Sequence, residues 1–208
     1  MSGGIYLALA GAKSQLEALD VVSNNVANAS TVGYQAERVS FAEVLSKDGE
    51  TGVAVERGAR DLRPGAVSNT GRALDLALDG PGGLVLSGGG QPVRSVSLTV
   101  SAEGRLVDAS GRALLAADGE PLTVPSGARE VSFSDDGDLV SDGSLIGRAQ
   151  ISGEAKIRSG VLEGSNVGIV QGMVELIHVS RSFEALTRMI EQYKSVDERT
   201  AREIGSPR

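Results

Sequence analysis

The chain has 208 residues, of which 40% are hydrophobic and only 3% aromatic, and it contains 28 glycines. This length allows one or two domains, and the glycine content predicts many tight turns. A formal net charge of −7 leaves no excess of Lys and Arg to follow a phosphate backbone, and the absence of cysteine excludes disulfides, thiolate catalysis and cysteine-based zinc sites. We therefore expect no nucleic-acid partner.

The beginning of the chain lacks the features of a targeting segment. Residues 1–6 show no basic stretch followed by an apolar run, so we expect no cleaved signal peptide. No apolar run in the sequence approaches the roughly 20 residues that a transmembrane helix needs. We therefore expect a protein that does not span a membrane and that uses another route if it is exported.

Residues 4–29 predict an amphipathic helix. Its apolar positions recur at alternating steps of four and three residues, with one position taken by Ser23, as in a coiled-coil seam formed by Ile5, Leu9, Ala12, Leu16, Leu19 and Val26.

Asn24, Asn25 and Asn28 lie near the end of this helix. Two interpretations are open, because Asn side chains close turns well but are only middling helix formers. They either cap the helix end, with Gly33 supplying a positive φ, or face a partner and fix its register by hydrogen bonding.

The middle of the chain changes to a β pattern. Residues 35–50 predict one short packed element of undetermined type, with Val39, Phe41, Val44 and Leu45 as its apolar positions. From Gly52 to Ile157, short apolar runs alternate with Gly, Pro, Asp and Asn, which is typical of antiparallel strands. Candidate strands are 53–55, 74–78, 84–86, 93–100, 105–107, 114–116, 122–124, 130–133 and 139–140, with tight turns at 102–104, 118–119 and 136–137.

A second long helix is predicted from Ser165 to Ile204, about 60 Å in length. Ser165 and Asn166 are placed to accept hydrogen bonds from its first backbone amides. Its seam comprises Ile169, Met173, Leu176, Phe183 and Ile190, and a second row comprises Val170, Val174, Ile177, Leu186, Tyr193 and Val196. The two rows make the apolar stripe wide enough to contact more than one neighbouring helix.

These elements predict an α+β fold with discontinuous N- and C-terminal helices that form a coiled-coil-like assembly core, and with an antiparallel β-rich middle domain. We place an N-terminal assembly helix and its following segment at 1–50, the β-rich outer domain at 51–158, and the C-terminal assembly helix, which packs with 1–50, at 159–208. The helices can bury their stripes on each other or on other copies of the chain.

No constellation of residues predicts catalysis. His178 is the single histidine and lies within the predicted long helix, and the acidic run at 134–138 has the spacing of a turn rather than of a calcium loop. We therefore expect no enzyme activity, no cofactor and no metal. An enzymatic or ligand-binding β domain fused to an oligomerising coiled coil remains a remote alternative.

Both ends of the chain together resemble a known family. The carrying segments are Ile5-Tyr6 with Ala10-Gly11-Ala12, residues 23–31 (SNNVANAST) with Gly33-Tyr34, and Ser165-Asn166-Val167 with residues 173–177 (MVELI) and 181–184 (RSFE). Residues 65–71 (GAVSNTG) and 74–80 (LDLALDG) look like the family's passage into its β domain. The chain resembles the bacterial flagellar axial family of rod, hook and hook-associated proteins, and within it the proximal-rod members, with distal-rod or short hook-type subunits as the alternative.

The resemblance implies a structural protein that polymerises into the axial drive shaft for motility. It implies export by the flagellar type III apparatus without a cleaved signal peptide, and a place in the periplasm-spanning rod of the basal body. Implied partners are other copies of the chain and other rod subunits. The assembly interface that we predict from the seams and the family motifs comprises Ile5, Leu9, Leu16, Leu19, Asn24, Asn25, Val26, Asn28, Gly33, Tyr34, Ser165, Asn166, Val167, Met173, Leu176, Ile177, Arg181, Phe183 and Ile190.

Overall fold

The computed structural model describes residues 2–45 and 51–205. They form two compact units, each assembled from separate stretches of chain. The helical unit draws on Met1–Ala29, Ala36–Asp61 and Val167–Arg208, and the β unit on Ser30–Gln35 and Leu62–Asn166. Two terminal helices and a middle of antiparallel strands confirm the predicted α+β class.

The helical unit contains helix α1, Ser2–Ala27, and helix α2, Ile169–Gly205. Both predicted helices exist, but the predicted start of the second was wrong. Ser165, Asn166 and Val167 precede α2, and the Asn166 side-chain amide donates to the Arg63 carbonyl at 2.8 Å.

A β-hairpin completes the helical unit. Strand β1, Glu37–Leu45, pairs antiparallel with strand β2, Thr51–Arg60, and the register shifts between Arg38 and Val39. The packed element expected at 35–50 is therefore a strand, although residues 46–50 and the side chains of 41–59 lie outside the described residues. Strand β2 belongs to the helical unit, because its pairing partner is β1. The sequence pattern, in contrast, began the outer domain at residue 51.

The β unit is built from short strands with nested pairings. Its strands are β3 (Val67–Asn69), β4 (Asp75–Asp79), β5 (Gly82–Leu84), β6 (Ser95–Ser97), β7 (Thr99–Val100), β8 (Leu106–Val107), β9 (Val131–Phe133), β10 (Asp138–Ser141), β11 (Ser144–Arg148), β12 (Ile151–Gly153), β13 (Lys156–Ser159) and β14 (Val161–Glu163). The first three pair with the last three, as β3 with β14, β4 with β13 and β5 with β12. The other pairings in the β unit are β4 with β6, β7 with β8, and β10 with both β9 and β11, and every pair is antiparallel. The nesting brings both ends of the β unit's main segment to one place.

The core of the β unit is aliphatic, as the low aromatic content predicts. Its completely buried members are Leu76, Leu84, Leu98, Leu106, Leu114, Leu139 and Ile157. The predicted turns are confirmed at Gly104, Gly119 and Gly137, each of which has a positive φ and closes a turn by donating its N–H to the carbonyl three residues earlier. Residues 114–116 and 122–124 contribute isolated bridges rather than the strands expected there.

Candidate assembly surface

Helices α1 and α2 pack antiparallel through small residues set against large ones. A methyl group built on Gly4 would lie 3.4 Å from Tyr193 Cζ, and one on Gly11 would lie 3.4 Å from Leu186 Cδ1. At the other end the sizes reverse, because a methyl group built on Gly172 would lie only 2.7 Å from Val26 Cγ2.

The contact positions on α2 are separated by multiples of seven residues. Tyr193, Leu186 and Gly172 lie on one line of α2, and the same line passes through the half-buried Val179. Side chains thus grow along one helix as they shrink along the other, which keeps the two axes close over the whole contact. A shift of the register would set large residues against large ones.

The seam predicted on α1 divides into an exposed row and a buried row. Leu9 and Leu16 are 55% and 46% exposed, and each follows a contact position, Gly4 or Gly11, by five residues. Five residues correspond to about 140° around a helix. The other row of the seam, Ile5, Ala12, Leu19 and Val26, is half-buried or buried along its whole length.

The apolar stripe of α2 is divided in the same way. Leu176, Phe183, Leu186 and Ile190 are half-buried, whereas a cluster in the first turns remains open to solvent. We call this cluster the α2 patch; its members are Ile169, Val170, Met173, Val174 and Ile177, with Val170 76% exposed. Contiguous exposed apolar residues of this kind mark interaction surfaces.

The Asn residues near the end of α1 are engaged within the chain. The Asn25 side chain donates to the Glu37 carbonyl at 2.8 Å and accepts from the Glu37 N–H at 2.9 Å, which ties the end of the helix to the start of β1. The Asn28 side chain donates to both oxygens of Asn24. Their predicted role in register between subunits stays a prediction, while Asn25 already fixes a register inside the helical unit.

The remaining predicted interface residues divide between the two units. Gly33, Tyr34 and Asn166 belong to the β unit, where the Asn166 N–H donates to the Tyr34 carbonyl at 3.3 Å. Gly33 has the expected positive φ, but it lies beyond the helix end, so it is not a helix cap. Ser165 and Val167 are half-buried in the connection before α2, and Arg181 is exposed on α2.

The β unit contains a groove of about 430 Å³ with a buried ion pair in its wall. Arg94 and Glu163 form this pair at 3.1 Å, and Arg94 also donates to the carbonyls of Leu78 and Gly80. The charged groups are thus satisfied by the protein itself. Exposed apolar residues, Leu62 and Val67, line the groove.

Shifted pKa values occur where carboxylates tie loops and hairpins. The hydrogen bond from Arg148 holds the pKa of Asp138 below its usual value, at the paired ends of β10 and β11. Burial raises the pKa of Asp108, but hydrogen bonds from Arg112 outweigh it and lower the pKa. Among the side chains that the structure describes, no group of three or more His, Cys, Asp and Glu could hold a metal ion, and His178 is exposed.

Neither helix of the described chain combines the length and the apolar character that crossing a membrane requires.

Comparison with protein families gives matches at both ends of the chain. Residues 5–35 match the family model described as Flagella basal body rod protein, and residues 158–203 match the model described as Flagellar basal body rod FlgEFG protein C-terminal. The first match covers most of α1, and the second covers α2 with the approach to it. The matched segments therefore include both exposed apolar faces.

Individual relatives align along nearly the whole chain. The flagellar basal-body rod protein FlgF of Rhizobium meliloti is 28% identical over 100% of both chains, and FlgF of Salmonella typhimurium is 30% identical over 97% of both. The flagellar hook protein FlgE of Escherichia coli is 33% identical, but over only 61% of this chain and 33% of its own length. The chain belongs to the bacterial flagellar basal-body rod protein family.

Proposed function

We propose that this chain is a structural subunit of the flagellar basal-body rod, of the proximal-rod type, and that it polymerises through its terminal helices. The observation that carries the mechanism is the apolar surface that the paired helices leave uncovered, namely the α2 patch together with Leu9 and Leu16 of α1. Family membership supports the location in the flagellar basal body.

Burial of this surface on assembly is the proposed driving force. Complete burial of a large aliphatic side chain is worth about 1.5–3 kcal/mol, so each of these roughly half-exposed residues offers about 1 kcal/mol. The exposed residues of α1 and those of α2 are different surfaces. A contact between unlike surfaces can repeat from copy to copy without closing, which suits an axial polymer.

The proposed partners are other copies of this chain and other rod subunits, with delivery by the flagellar type III export apparatus. We propose no catalysis, no cofactor and no nucleic-acid partner. A distal-rod role is the alternative that the family resemblance leaves open. The position of the subunit along isolated basal bodies distinguishes the two roles.

The test places a charge within the α2 patch. Ile177→Asp, as the only copy of the chain in its own host, should abolish rod incorporation and motility, because a carboxylate would be buried without a partner. Gln171→Asp is the matched control, since it adds the same charge at an exposed polar position on the same helix. Circular dichroism of both purified variants checks that the helices remain. Normal rods from Ile177→Asp would refute the proposal.

A further inference from the structure

Three stretches of chain meet at the end of the β unit where its nested strands close. They are residues 30–35, 62–66 and 163–166, and each leads toward a segment that belongs to the helical unit. We call them the connecting segments. Glu163 belongs to the third of these segments and accepts a hydrogen bond from each of the other two.

Glu163 binds the first two connecting segments with different groups. Its backbone carbonyl accepts the Gly33 N–H at 2.8 Å, and its carboxylate Oε1 accepts the Gly65 N–H at 3.1 Å. Its own N–H donates to Ser95 Oγ at 3.0 Å, and that hydroxyl donates to the Leu76 carbonyl at 2.7 Å. Glu163 thus joins the connecting segments to two strands of the β core.

Arg94 holds the Glu163 carboxylate in place. Its Nε lies 3.1 Å from both carboxylate oxygens, and its two terminal nitrogens donate to the carbonyls of Gly80 and Leu78 at 2.8 and 2.9 Å. Glu163 is only 3% exposed and Arg94 only 9%. A buried ion pair of this kind is tolerated when its remaining donors and acceptors are satisfied. It fixes the positions of the groups that it joins more than it adds to the free energy of folding.

The backbone is packed closely around this pair. A methyl group built on Gly33 would lie 2.6 Å from the Ser95 nitrogen, and one on Gly65 would collide with the carbonyl of Gly164. Both glycines donate their N–H groups to Glu163. The two glycines therefore lie where Glu163 accepts hydrogen bonds with both its backbone carbonyl and its carboxylate.

We propose that Glu163 is a positioning residue that fixes where the connecting segments leave the β unit, so that assembly depends on it although it lies outside both helices. This inference rests on the proposed rod function for its biological consequence only. The hydrogen bonds of Glu163 described above reach Gly33, Gly65, Arg94 and Ser95, none of which belongs to the β9–β10–β11 sheet. Loss of the carboxylate should therefore loosen the connecting segments without unfolding that sheet.

Glu163→Gln is the first test, because an amide has one acceptor oxygen and no charge to hold both Arg94 and the Gly65 N–H. In the unassembled full-length chain, hydrogen exchange at the Gly65 amide, which is bonded to the carboxylate, should accelerate about tenfold or more, as expected for loss of a charge-assisted bond. Exchange in β9 and β10 should stay as in the parent. Asp79→Asn, an exposed residue lining the same groove, is the matched control and should change neither.

A second variant separates positioning from the cost of an unpaired buried arginine. Arg94→Met combined with Glu163→Leu removes both charges, so the stability of the β unit should recover while the Gly65 amide still exchanges fast. Both variants should also form fewer rods in the host. Parental exchange at Gly65, equal acceleration throughout the β unit, or normal rods despite fast exchange would each overturn the inference. The exchange result does not depend on polymerisation, so it fails independently of the Ile177→Asp test.

Discussion

The size-matched contact between α1 and α2 predicts that two glycine-to-alanine substitutions have opposite effects. Gly172→Ala places a methyl group 2.7 Å from Val26 Cγ2, which is closer than carbon atoms approach without displacement. Gly11→Ala places one 3.4 Å from Leu186 Cδ1, an ordinary contact with the end of a flexible side chain. The same chemical change therefore tests the geometry at two levels of one interface.

The magnitudes follow from two opposing contributions. Replacing a mid-helix glycine by alanine stabilises a helix by about 0.5–1 kcal/mol, and overpacking a close contact costs about 1–3 kcal/mol. Gly11→Ala receives the first contribution alone, so we expect about 0.5–1 kcal/mol of added stability. Gly172→Ala receives both, so we expect a net loss of up to about 2 kcal/mol.

Adding Val26→Ala to Gly172→Ala removes the colliding methyl group and provides the decisive comparison. Chemical denaturation followed by far-UV circular dichroism reports the helical unit, and a double-mutant cycle yields the coupling free energy. The pair should be less destabilising than the sum of its members by about 1–2 kcal/mol. Additive effects, or Gly172→Ala as stable as Gly11→Ala, would show that the two helices do not pack in this register.

Three further predictions concern single contacts. Gly33→Ala should destabilise the β unit by about 2–4 kcal/mol in thermal unfolding, and Gly71→Ala by only about 1, because both have a φ of 68° but only Gly33 lies against another backbone. Asn25→Ala should cost about 1–3 kcal/mol in chemical denaturation, since the first backbone groups of β1 lose their partner; a neutral result would refute that role. Because the pKa of Asp138 is lowered in the fold, its contribution is present above its ordinary pKa and is lost as the pH falls through the folded value. Arg148→Met should return that pKa toward its usual value in an NMR titration, and an unmoved midpoint would contradict the assigned cause.

The terminal helices could be predicted from sequence because their signal is long and periodic. Steps of four and three residues recur over many turns, and the ends of α1 and α2 lie within a few residues of the prediction, apart from the start of α2. That start was misplaced because Asn166 is a good helix cap in isolation. In the fold its side-chain amide donates to the Arg63 carbonyl and its N–H to the Tyr34 carbonyl, both distant in sequence, and the helix begins only at Ile169.

The pairings of the β unit could not be read from the sequence for a related reason. Strands β12 and β14 are three residues long and show no alternation of buried and exposed side chains, and β3 is exposed throughout. Their partners lie at the opposite end of the β unit's main segment, so only long-range hydrogen bonding defines them. Glu163 was missed for the same reason, since a single acidic residue reveals nothing of Arg94, which lies far away in sequence.

Helix geometry decides which seam residues pack within the chain and which stay exposed for a partner. On α1 the seam residues Ile5, Ala12, Leu19 and Val26 are half-buried or buried. The line through Gly4 and Gly11 meets α2, while Leu9 and Leu16 stay exposed on another face. The β unit has an aliphatic core of its own. The uncovered apolar surface of the helices is therefore concentrated in the segments that match the rod-protein family models, and it is there that assembly has free energy to gain.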